Sequence, residues 1–136
     1  MASQGDIDVL RSGYEAMQRG DVETLVELCD PEVEFVALVS AVEGASYRGH
    51  DGIRRFFNDL GQAWEEWLPV PAEFSLVGDS VLVMGTTSMR GKGSGVEMEM
   101  DWGQVFEFRG GKVVWTRIYA DREEAAEAAH LKKARS

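Results

Sequence analysis

The chain has 136 residues, 44% of them hydrophobic and 28% charged, enough for one folded domain with its own core and too apolar for a disordered one. A formal net charge of −10 and a pI of about 4.6 repel phosphate backbones and anionic membranes, which argues against nucleic acid and acidic lipid as partners. The single cysteine, Cys29, rules out an internal disulfide, no apolar run reaches the length of a membrane span, and without a signal segment the expected location is the cytoplasm.

Ile7, Leu10, Tyr14 and Met17 recur at three- and four-residue intervals, the stripe of an amphipathic helix that Gly20 should end. Asp21 can cap a second, short helix with Val22, Leu25, Val26 and Cys29 inward, and Asp30-Pro31 is expected to stop it. In that setting Cys29 reads as a small core residue rather than a nucleophile. Residues 32–36 form a short strand with Val33 and Phe35 on one face. Residues 37–49 are the least regular stretch and are expected to make a flap over one end of a pocket, with Glu43 as the acid able to swing over it.

A third helix over 50–64 buries Ile53, Phe56, Phe57, Leu60 and Trp64 and turns Arg54, Arg55, Asn58 and Asp59 to water. Pro69 and Pro71 then leave 65–70 as either an edge strand or a linking loop. Residues 72–77 and 80–89 read as a hairpin turning at Gly78-Asp79, and 90–95 as a glycine-rich turn.

Residues 95–108 make the longest strand. Met98, Met100, Trp102, Gln104, Phe106 and Phe108 alternate with Glu97, Glu99, Asp101, Gly103, Val105 and Glu107, giving one apolar and one largely acidic face. Gln104 is the only primary amide on the apolar face, and a buried amide needs partners. After a turn at 109–111, residues 112–120 form the last strand, with Val114, Thr116 and Ile118 opposite Val113, Trp115, Arg117 and Tyr119. Asp121, three residues before Glu124, begins a helix over 125–130, and 131–136 reads as a frayed tail. Apolar residues on both sheet faces call for a cover on the outer one. A second subunit is the simplest.

Helices followed by antiparallel strands imply a single α+β domain over residues 1–136. The stretches 14–21 (YEAMQRGD), 30–35 (DPEVEF), 47–53 (YRGHDGI), 93–97 (GSGVE) and 121–125 (DREEA) resemble the nuclear transport factor 2-like (NTF2-like) superfamily, and within it the SnoaL-like branch. The resemblance implies a cone of three N-terminal helices packed on a strongly curved, mostly antiparallel sheet, with a short C-terminal helix. It further implies a pocket inside the cone and a homodimer through the outer sheet face. Its members include polyketide cyclases, ketosteroid isomerases and epoxide hydrolases. Their catalytic acids do not carry over. Phe35 stands where the isomerases have their base, Gln104 where they have a protonated Asp, and Ile118 where the hydrolases have a carboxylate. Tyr14 is one position away from the isomerase oxyanion tyrosine.

The expected pocket is lined by Tyr14, Phe35, Phe57, Trp64, Met100, Trp102, Gln104, Thr116 and Ile118. Gln104 either donates to a ligand carbonyl or is satisfied by backbone; Tyr14 either offers its hydroxyl to the pocket or packs with it toward solvent. Glu34, Glu97, Glu99 and Asp101 read as solvated, and neither His50 nor His130 belongs to a metal cluster, so no metal or cofactor is expected. The leading expectation is a protein that binds a small apolar, aromatic or polycyclic ligand, with cyclase-like or isomerase-like action on a hydrophobic carbonyl compound. Gln104, Tyr14 and Glu43 are the candidate catalytic groups. The alternatives are a non-catalytic dimerising module with a vestigial pocket, and an epoxide-hydrolase-like enzyme using an unmatched carboxylate.

Overall fold

A computed structural model of the chain describes residues 1–39 and 42–135, with side chains for 1–37 and 46–131. Helix α1 (Gln4–Gln18) opens with a capping box: Ser3 Oγ accepts from the Asp6 N–H, and the Asp6 carboxylate accepts from the Ser3 N–H. Its stripe buries Ile7, Leu10 and Tyr14. Gly20, at φ 72°, closes it, and the Asp21 carboxylate caps α2 (Val22–Glu27) by accepting from the Thr24 N–H.

Proline does not end α2. The helix stops at Glu27, β1 (Cys29–Val39) begins two residues later, and Pro31 lies inside that strand. It sits where β1 pairs irregularly with its neighbour, between Cys29 and Glu34, so its missing N–H removes no ladder bond. Most of the stretch expected to be irregular is paired strand, and residues 40 and 41, within the expected flap, lie outside the described ones. Ala37 to Val39 continue β1 and pair antiparallel with β2 (Val42–Arg48). The side chain of Glu43 falls outside the described residues.

Helix α3 (Gly49–Ala63) is followed directly by β3 (Trp64–Val77), β4 (Ser80–Gly91), β5 (Glu97–Arg109), β6 (Lys112–Tyr119) and α4 (Arg122–Arg135). The six strands form one sheet in the order β2-β1-β6-β5-β4-β3, and only the β1–β6 pairing is parallel. Pro69 and Pro71 are tolerated inside β3, because it is an edge strand and an edge strand needs only half its donors. α1, α2 and α3 cover one face: Ile7, Leu10, Tyr14, Val26, Ile53 and Phe56 form a continuous core with Val33, Phe35, Val81, Val83, Trp102, Phe106 and Val113. Val113 faces this core, against simple alternation, because a bulge opposite Glu107 and Phe108 shifts the register of β6.

The other face is covered by the chain itself. Ala125 and Ala129 of α4 pack on Val77, Leu82 and Val105, flanked by Met84, Trp115 and Tyr119. α4 thus buries Leu82 and Val105, while Met84, Trp115 and Tyr119 of the same face stay half-buried. Asp121 caps α4 through the Glu123 and Glu124 N–H groups, and the Arg122 guanidinium donates to the Gly85 carbonyl at 3.0 Å. The helical backbone runs to Arg135, through the stretch whose composition predicts fraying. No helix among the described residues is long and apolar enough to cross a membrane.

Candidate functional site

Between the helices and the inner sheet face lies a cavity of about 120 Å³. Strand alternation brings Met100, Trp102, Gln104 and Phe106 of β5 to its wall, and Thr116 and Ile118 of β6 beside them. Phe35, Phe56, Phe57 and Tyr14 enclose it from β1, α3 and α1.

The polar centre is a three-residue chain. Tyr14 Oη donates to Gln104 Oε1 at 2.9 Å, and Gln104 Nε2 donates to Thr116 Oγ1 at 2.9 Å. All three residues are buried. Gln104 is thus satisfied by side chains from two other elements rather than by backbone. An amide offers two donors and two lone pairs, so one of each is left over, and the Thr116 proton has no acceptor among the described residues. Burial pushes the Tyr14 hydroxyl well above its ordinary pKa, since a buried phenolate would lose its hydration.

Trp102 extends the polar centre into an aromatic floor. Its ring stacks on Tyr14, with centroids 5.7 Å apart and planes 16° apart, and its indole N–H donates to Thr87 Oγ1 at 2.8 Å. Gly85 makes room for it: a Cβ there would sit 2.6 Å from the indole Cζ2. Phe106 meets Tyr14 edge-on, and Phe35 meets Phe56 edge-on at 4.6 Å, an arrangement that favours ring packing.

Of the expected pocket residues, the fold brings Tyr14, Phe35, Phe57, Met100, Trp102, Gln104, Thr116 and Ile118 to one cavity; Trp64 is not among its lining residues. Trp64 is the C-cap of α3 with extended backbone, and Trp67, three residues on in β3, takes the wall position instead. Thr87 and Trp67 are lining residues that pattern reading missed. Thr87 was reachable by carrying the alternation of Val81, Val83 and Gly85 one step further, whereas the prolines of β3 hid Trp67.

No Asp, Glu, His, Lys or Arg lines the cavity among the described residues. Glu34 pairs with Arg48 and Ser46 on the outside, Glu97 and Glu99 are exposed, and Asp101 accepts from Thr86 and Arg122 on the outer face. The His50 ring bonds the Cys29 carbonyl, a structural contact, and no metal-binding group of acids, His and Cys occurs among the described residues. Cys29 touches the cavity, but burial pushes its thiol up to about 11, so it stays protonated and unreactive. Proton abstraction needs a base near the working pH; these walls offer hydrogen bonds and aromatic surface.

No curated protein matches the chain significantly. Solved structures match along nearly its full length. An NTF2-like protein of unknown function from Burkholderia pseudomallei K96243 superposes with a TM-score of 0.79 at 22% identity, covering 92% of this chain and 97% of that one. An NTF2-like protein from Burkholderia xenovorans LB400 gives 0.75 at 26% identity, covering 95% and 98%. TerC, co-crystallised with polyporic acid, gives 0.78 at 23% identity, covering 93% and 98%. The fold is thus the α+β NTF2-like one, and since the model of the SnoaL-like domain family matches residues 10–116, this chain belongs to that family.

Proposed function

We propose that this protein binds a small, neutral aromatic carbonyl compound in the cavity beneath α1 and α3. One observation carries the reading: a hollow, aromatic-walled interior whose polar centre, Tyr14–Gln104–Thr116, has unused donors. Spare donors suit an acceptor, and a carbonyl oxygen can take both the second Gln104 N–H and the Thr116 O–H. With no Lys, Arg or His among the described wall residues, a buried carboxylate ligand would be uncompensated. Size narrows the class further. A cavity of about 120 Å³ is close to the ~150 Å³ that admits a benzene ring, and polycyclic ligands belong to pockets of roughly 300 Å³ or more. The co-crystallisation of TerC with polyporic acid supports small-molecule occupancy of this fold.

Any cyclase-like or isomerase-like action would then rest on hydrogen bonding to the carbonyl, with Gln104 and Thr116 favouring charge that develops on its oxygen. A vestigial pocket fits less well, because a filled interior would not leave buried aromatic walls around unused donors. The test is calorimetric titration of acetophenone. Gln104→Leu should weaken binding by ~1–3 kcal/mol, the cost of a buried hydrogen bond lost; unchanged affinity would reject the role of Gln104.

A further inference from the structure

The cavity has a second polar end. Thr87 of β4 is 2% exposed and lines the cavity, and its Oγ1 accepts the Trp102 indole N–H. A hydroxyl is a donor as well as an acceptor, and the Thr87 proton has no acceptor among the described residues. A buried donor in an apolar wall is unfavourable unless something takes it.

Its position relative to the first polar centre follows from the register. β4 and β5 pair Val83 with Gln104 and Thr87 with Met100, so Thr87 lies four residues along the sheet from Gln104. At about 3.3 Å per residue the two positions are roughly 13 Å apart. Trp102 lies between them, its ring stacked on Tyr14. The inner face of the sheet is therefore polar, aromatic and polar in turn.

We propose that Thr87 is a second ligand anchor, and that the cavity takes a flat aromatic compound with a neutral hydrogen-bond acceptor at each of two opposite ends. One acceptor meets Gln104 and Thr116; the other meets the Thr87 hydroxyl. The simplest compound of that kind is a benzene ring with para carbonyl groups. This rests on the reading of the cavity as a ligand site. It differs from a purely structural role for Thr87, in which the hydroxyl only holds the Trp102 indole and its loss disturbs every ligand equally.

Two probes of matched shape separate these roles: 1,4-diacetylbenzene, with two acceptors, and 4-ethylacetophenone, with one. Calorimetry on the wild-type protein should show about tenfold tighter binding of the diacetyl compound, the factor expected of one added hydrogen bond. Thr87→Val should abolish that preference, and Thr87→Ser should restore it. Absence of a wild-type preference, its survival in Thr87→Val, or an equal loss of both probes in that variant would each overturn the proposal; the first of these needs no folded variant. Gln104→Leu should weaken both probes. If it weakens neither while the Thr87 preference holds, the role of Gln104 fails and the Thr87 anchor stands; if neither probe binds the wild-type protein, both fall.

Discussion

On the outer face of β5, α4 sits so close that a Cβ added at Gly103 would lie 2.4 Å from the Ala125 Cβ. On the inner face of the same strand, Trp102, Gln104 and Phe106 border a cavity of about 120 Å³. The outer contact sets the small residues Gly103, Ala125 and Ala129 beside Val77, Leu82 and Val105. The inner one is built from large rings that meet edge-on and cannot fill the space between helices and sheet, with a hydrogen-bonded chain set among them. Close packing of small groups fixes a helix on a sheet. Bulky rings propped apart by Gly85, Trp102 and Tyr14 keep a hollow open.

If that contrast holds, adding volume should have opposite consequences on the two faces. Gly103→Val should cost about 1–3 kcal/mol in urea unfolding, because neither Ala125 nor the helix backbone can yield without losing contacts. An unchanged midpoint would show that α4 is only loosely seated. Ile118→Phe adds volume to the cavity wall and should change stability by no more than about 1 kcal/mol, while acetophenone binding disappears. A destabilisation as large as that of Gly103→Val would mean that the inner face is as solid as the outer.

The smallest expected effect is that of pH on binding. Tyr14 and Cys29, the titratable groups among the described lining residues, both have raised values and are neutral when protonated. Each therefore stays neutral as pH rises through its ordinary range, and Cys29 loses its proton only near 11. Acetophenone affinity should change less than about twofold between about pH 5.5 and about pH 9. A step with a midpoint in the carboxylate range would place an acid at the site. Glu43, on the β1–β2 hairpin, would then be the first residue to replace.

Much of this arrangement is legible in the residue pattern. The period of two along β5 puts Met100, Trp102 and Gln104 on one face and Glu99 and Asp101 on the other, and burial of the first set follows from its composition. Gly20, Asp21 and Asp121 mark helix ends because positive φ and a carboxylate at an N-cap are local requirements. Local rules failed where a neighbour decided. Pro31 is harmless in β1 because its partner strand leaves a gap there, Trp64 leaves the wall to Trp67 because the chain turns from helix to strand at that residue, and Val113 turns inward because of a bulge beside it in β6.

By itself the sequence determined which residues are buried, where most helices and strands begin and end, and the family to which the chain belongs, since each depends on spacing within a few residues. Only the tertiary structure decided that Tyr14 and Thr116 meet Gln104, that Thr87 stands at the far end of the same hollow, and that α4 covers Val105. Tyr14 and Gln104 are 90 residues apart in the chain. What joins them is strand order and helix packing, and a one-dimensional pattern carries neither.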